Sequence, residues 1–113
     1  MAGENYPFDD ASILAIRAPR NSVGGPYTVV YKNTDERYAI VALDWNGIPS
    51  LGIRWFWGNG GSPFSSGHAI WFIYPSELLP GLLKSLPMDY TLRNKLKKYL
   101  SGIQAGKDLF STL

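Results

Sequence analysis

Eight large aromatic side chains fall between Trp45 and Tyr74: Trp45, Trp55, Phe56, Trp57, Phe64, Trp71, Phe72 and Tyr74. Rings of this size fill a core, stack on flat unpaired rings for roughly 1–3 kcal/mol each, or anchor an interface in which Trp, Tyr and Arg carry most of the energy. Neighbours on a strand point to opposite faces. Trp55 and Trp57 therefore oppose Phe56, and Trp71 opposes Phe72. The alternation predicts that at least one sheet face shows large rings outward unless a partner covers it.

Other chemistry is thin. His68 is the only imidazole, with Ser62, Ser65 and Ser66 near it in sequence. Adjacent positions in a glycine-rich loop supply neither an orienting acid nor an oxyanion hole. The chain has no Cys, so it has no disulfide scaffold, no thiolate metal site and no Cys nucleophile. One His excludes a multi-His metal site. Gly58-Asn59-Gly60-Gly61 follows a strand, but no Gly-Lys-Ser/Thr follows and no helix opens there, which speaks against a phosphate loop. The carboxylates are isolated: Asp35 and Glu36 lie in a turn, and Asp44 precedes Asn46-Gly47, where it is expected to hold the turn through backbone contacts. The expectation is a binding module with no catalytic residues, no metal and no cofactor.

The chain has 113 residues, 45% of them apolar, and a net charge of +2. This size and composition suit one domain with one core. No apolar run reaches the roughly 18 residues that a membrane span needs. Glu4, Asp9 and Asp10 stand where a signal peptide would carry basic residues, so a cytoplasmic protein is expected. The basic character is C-terminal: residues 89–113 carry +3, from Arg93, Lys95, Lys97, Lys98 and Lys107 against Asp89 and Asp108. Residues 27–74 are neutral. Arg93, Lys97 and Lys98 form a candidate basic patch on the polar side of a helix.

Residues 1–26 are irregular or include a short strand or helical turn at 12–18, with a loop at 21–26. Residues 27–74 read as an antiparallel sheet. The first strand is 27–32, rich in β-branched and aromatic residues, and 37–45 is the next. Asn46-Gly47 is the strongest short hairpin signal, because both residues tolerate positive φ. It pairs Leu43 with Ser50, Val41 with Gly52 and Ala39 with Arg54, unless Pro49 shifts the register. Tyr38, Ile40 and Ala42 then share a face with Leu51, Ile53 and Trp55. The last strand is 68–74. Residues 75–104 are helical: a segment opened by Ser76 and interrupted at Pro80-Gly81 unless Pro80 lies in a first turn, then Leu92 to Ile103, capped by Asp89 or Thr91. The class is α+β, a bent antiparallel sheet of four to five strands followed by one or two helices packed on one face.

Leu51-Gly52-Ile53-Arg54-Trp55-Phe56-Trp57, a glycine-rich connection, and Gly67-His68-Ala69-Ile70-Trp71-Phe72-Ile73-Tyr74-Pro75 resemble, in order and spacing, the second strand, hairpin and last strand of the positive-cofactor-four family. The resemblance covers about residues 37–86. It implies a bent four-stranded sheet followed by a helix, a homodimer, and single-stranded DNA lying across the strands. Carried over by position, the contacts are Arg54, Trp57 and His68, then Trp55 or Phe56. The alternation adds Trp71. The family carries basic residues before its last strand, where this chain has His68 and Ala69. Phosphate neutralisation supplies most non-specific affinity, which a neutral sheet lacks. Two functions follow: a single-stranded nucleic-acid-binding module, or a protein-interaction module (inhibitor, immunity-type or adaptor) using the same aromatic face.

Overall fold

The structure is a computed structural model that describes residues 7–57, 61–65 and 68–110, with the backbone alone at 64, 65 and 68. Its centre is the hairpin that Asn46-Gly47 builds. Both turn residues take positive φ, at 52° and 81°, the twist that a two-residue hairpin needs. Strands β2 (Tyr38–Trp45) and β3 (Ile48–Trp55) run from it. They pair Leu43 with Ser50, Val41 with Gly52 and Ala39 with Arg54, in the expected register. Pro49 introduces no shift. It sits opposite Asp44, one pair beyond the turn, where an antiparallel ladder has no bond to lose.

Strand β1 (Val23–Asn33) pairs with β2 on the other side, with irregularities between Gly24 and Thr28 and between Val29 and Tyr31. It is longer than expected, because the segment read as a loop at 21–26 already joins the sheet at Val23. The expected continuous strand over 68–74 is broken. β4 (Phe64–Ser65) and β5 (His68–Ala69) form a separate two-stranded ribbon, and only β6 (Phe72–Ile73) joins the main sheet, opposite Ile53 and Gly52. The sheet order is β1-β2-β3-β6, four strands, all antiparallel. Gly58, Asn59 and Gly60, the loop weighed above for phosphate, lie outside the described residues.

Helices follow the sheet, which makes the fold α+β. A 3₁₀ turn over Ser76–Leu78 leads into α2 (Leu79–Ser85), with Pro80 in its first turn, where its missing N–H is no loss. Ser76 makes no capping bond, contrary to expectation, because the chain enters through the turn rather than directly into the α-helix. α3 (Tyr90–Leu100) starts at Asp89, whose carboxylate accepts from Leu92 N at 2.7 Å. Asp89→Ala is expected to cost about 1 kcal/mol of stability, read in a urea titration. α3 ends at Leu100, short of Ile103, which is 74% exposed. A short α4 (Gly106–Leu109) closes the described chain. Among the described residues no helix is long and apolar enough to cross a membrane.

The sheet buries both faces, so β2 is apolar and buried at every position from Ala39 to Leu43. On one face Val30, Ile40, Ala42 and Leu51 meet Leu79, Leu83, Leu96, Tyr99 and Phe110 from the C-terminal helices. On the other, Ala39, Val41 and Leu43 meet Phe56, Trp71, Ile13 and Ile16. The last two come from the N-terminal segment, where α1 (Asp10–Leu14) is capped by Asp9 through Ser12 N at 3.1 Å. Trp71 is 3% exposed, and its Nε1 donates to Ile16 O at 2.8 Å. Gly52 makes room for this packing, since a Cβ there would stand 3.3 Å from the Trp71 Cβ and 3.0 Å from Leu43. The outward aromatic face expected from alternation is thus closed at Phe56 and Trp71 by Phe8, Ile13 and Ile16 of the same chain.

Asp44 does not hold the hairpin turn through the backbone. Its two carboxylate oxygens accept from the hydroxyls of Tyr27 at 2.6 Å and Tyr99 at 2.7 Å. Burial, and then the hydrogen bond and charge of Asp44, push the Tyr27 hydroxyl up to about 12 and raise that of Tyr99 further still. Tyr99 in turn meets Tyr27 and Phe110 edge to face, each at 5.8 Å. This knot ties β1, β2, α3 and the end of α4 together.

Candidate ligand cleft

The predicted contact residues disperse. Arg54 is fully buried, with its guanidinium carbon 4.9 Å from the Phe56 ring centre and Nη2 donating to Pro63 O at 3.2 Å. It lies inside the packing of the strand, out of reach of a ligand. Trp71 and Phe56 are buried too, Phe56 between Phe8 at 5.3 Å and Trp71 at 6.2 Å. Trp57, two residues past the end of β3, is 49% exposed. The His68 side chain lies outside the described residues. Arg93 turns its guanidinium to the carbonyls of Leu83 and Leu86 and so closes the C-terminal end of α2. Lys97 and Lys98 are exposed on the last turn of α3.

Among the described residues of the predicted set, Trp55 alone enters a recess lined with rings. Alternation in the hairpin puts Tyr38, Ile40, Ile53 and Trp55 on the face that the C-terminal helices cover. Those helices stop short of the end of the sheet where β1 turns into β2. There Tyr31 of β1, Tyr38 of β2 and Trp55 of β3 stand in a row across three neighbouring strands. The centroid separations are 6.0 Å from Tyr31 to Tyr38 and 5.7 Å from Tyr38 to Trp55, with planes tilted by 51° and 52°. Tyr74 forms another wall, and Leu82, Ser85, Leu86 and Pro87 at the end of α2 form the roof. The cleft encloses about 550 Å³. Phe72, 59% exposed and directly across from Ile53, carries the apolar surface on toward the sheet edge.

The cleft is greasy in its walls and polar only through hydroxyl and indole groups. Among the described residues no Asp, Glu, Lys, Arg or His lines it. Burial, and secondly the neighbouring Tyr38, raise the Tyr74 hydroxyl above the usual tyrosine range, so it stays a proton donor at neutral pH. No side-chain hydrogen bond joins the Tyr31, Tyr38 or Tyr74 hydroxyl or the Trp55 indole to another described residue. Their donors are available to a guest that carries acceptors. The nearest basic side chains on these strands point elsewhere: Lys32 pairs with Asp10 at 3.0 Å, and Arg37 Nε donates to Phe56 O at 2.9 Å.

α2 separates this cleft from the basic side chains of the C-terminal region. Leu82, Ser85 and Leu86 face the rings. Leu79, Leu83 and Lys84 line a second recess on the other flank, which Arg93 and Lys97 border from α3. The signal for Tyr31, Tyr38 and Tyr74 is present in the sequence, since Tyr38 shares a face with Trp55. What hides it is that the length of α2, and so the part of the face left open, follows from tertiary packing. Among the described residues no three His, Cys, Asp or Glu side chains come together as metal ligands would. Compared with protein-family models, with curated proteins and with solved structures, the chain matches none.

Proposed function

We propose that this chain is a non-catalytic protein-interaction module whose aromatic cleft takes an extended, uncharged, proline-rich segment of a partner protein. The observation that carries the reading is the separation of rings from cations by α2. A single nucleic-acid strand needs both along one path, rings for its bases and cations for its phosphates. A strand stacked on Tyr38 and Trp55 would have to cross α2 to meet Lys84 and Lys97. A proline-rich segment needs no cations. Its polyproline II backbone has no internal hydrogen bonds and offers carbonyl acceptors, and its rings lie against aromatic grooves. Tyr hydroxyls and an indole N–H above apolar walls suit both halves of such a ligand.

A fluorescein-labelled proline decapeptide and a labelled oligo-dT, each titrated at about 50 mM salt, test this by anisotropy. The decapeptide is expected to bind saturably, and Trp55→Ala or Tyr38→Ala to weaken it by about tenfold, as loss of an interface anchor does. Binding of oligo-dT that falls steeply with salt, with no response to the decapeptide, overturns the proposal in favour of a single-stranded nucleic-acid module. A concentration-dependent dimer that buries Phe72 and closes the cleft to peptide also overturns it.

A further inference from the structure

The recess on the other flank of α2 differs in chemistry from the cleft. It encloses about 620 Å³ between the β2–β3 turn, α2 and α3. Its floor is apolar, made by Leu79, Leu83 and Leu100, and Ile48 at the hairpin turn stands at one end, 64% exposed. An exposed isoleucine at the mouth of an apolar groove is surface that a partner would bury. The walls are basic. Lys84 stands on the α2 side, and Arg93 and Lys97, one helical turn apart, stand on the α3 side. Among the described residues no Asp or Glu lines the groove. Among the described residues neither Lys84 nor Lys97 makes an ion pair or a side-chain hydrogen bond.

We infer that this groove is a second docking site, independent of the aromatic cleft, and that its occupant is an acidic amphipathic helix of a partner protein. Charge complementarity carries the choice. Cations on both walls call for a ligand with carboxylates on both flanks of an apolar stripe. An amphipathic helix with Glu or Asp beside its Leu positions presents that arrangement, with anchors at i, i+3/i+4 and i+7. A fatty acid offers one charge at one end, and so meets one wall only. The scale agrees. The 11 residues of α3 span about 16 Å at 1.5 Å per residue, which admits about three turns of a partner helix. Arg93 has a positioning role as well: by holding the Leu83 and Leu86 carbonyls it fixes the distance between the two walls.

The probe is a labelled peptide of about sixteen residues, with Leu along one face and Glu on both flanks. Its control replaces each Glu by Lys, and sodium laurate serves as the acyl competitor. The Glu-flanked peptide is expected to bind, with affinity falling as salt rises. The double variant Lys84→Glu, Lys97→Glu is expected to weaken it by about tenfold and to take up the Lys-flanked peptide instead. Ile48→Asp is expected to weaken the Glu-flanked peptide as well. All three substitutions lie at exposed or partly exposed positions, and an unchanged thermal midpoint confirms that each variant is folded. Equal binding of the two peptides, no binding of either, or saturable laurate binding without peptide binding overturns the inference. Trp55→Ala leaves this groove untouched, so failure here and failure of the cleft are told apart.

Discussion

Replacing Asp44 with alanine is expected to lower the unfolding free energy by about 3 kcal/mol. The carboxylate accepts two short hydrogen bonds, from Tyr27 at 2.6 Å and Tyr99 at 2.7 Å. Hydrogen bonds to a charged acceptor contribute more than neutral ones, and alanine leaves a buried Tyr99 hydroxyl without its partner. Asp44→Asn costs less, about 1–2 kcal/mol, because the amide still accepts from one hydroxyl and donates to the other. The pH dependence has a definite sign. The Tyr27 hydroxyl ionises at about 12 in the folded chain against an ordinary 10.0, and that of Tyr99 is raised too. The folded state therefore holds these protons more tightly than the unfolded state. The stabilisation is complete below about pH 10 and is lost as pH rises through about 12. Urea midpoints should hold level from about pH 8 to pH 10 and fall from about pH 10 upward. They should fall less in Asp44→Asn, where the carboxylate's part in raising both hydroxyls is gone and only burial remains. A flat profile in the parent chain contradicts the network.

Trp71→Ala is expected to cost about 3–5 kcal/mol, and Trp57→Ala to stay within about 0.5 kcal/mol of the parent. The two indoles differ in what surrounds them. Trp71 is 3% exposed, lies against Phe56 and bonds the Ile16 carbonyl, so it fastens the N-terminal segment to the second sheet face. Its removal opens a large cavity and leaves that carbonyl without its donor. Trp57 is 49% exposed. Trp71→Phe separates the two losses: most of the ring remains, and the missing hydrogen bond costs about 1 kcal/mol. Hydrogen exchange at residues 10–16 should speed up in Trp71→Ala more than at β2, because the segment it pins opens first. Uniform exchange across the chain contradicts this division.

The hairpin was legible because its signal is local. Asn46-Gly47 sets the turn, and a side-chain period of two then sets every pair to Ala39 and Arg54. Leu92, Leu96 and Tyr99 likewise announce α3 through their spacing. The burial of Trp71 and Phe56 was not legible, because the segment packed on them holds a helix of 5 residues, too short to show a period; Arg54 is closed by the stretch around Gly61 and Pro63, which shows none either. Nothing within 1–26 says which face Ile13 and Ile16 will cover. The tyrosines on Asp44 lie 17 and 55 positions from it, a pairing that no window reads. Trp55 and Tyr74 belong to the aromatic cluster in sequence, but Tyr31, Tyr38 and Tyr74 are not singled out there as contacts, because a cleft is made by what fails to cover it. α2 ends at Ser85, and that stop leaves the row of rings open.

The indole Nε1–H resonances test the central claim most directly, since the chain has four Trp and each gives one signal. Titration with the proline decapeptide is expected to move the Trp55 signal and to leave that of Trp71, bonded to Ile16 O at 2.8 Å, in place. Oligo-dT at the same concentration is expected to move neither. A Trp55 signal that ignores the peptide while oligo-dT shifts it contradicts the account.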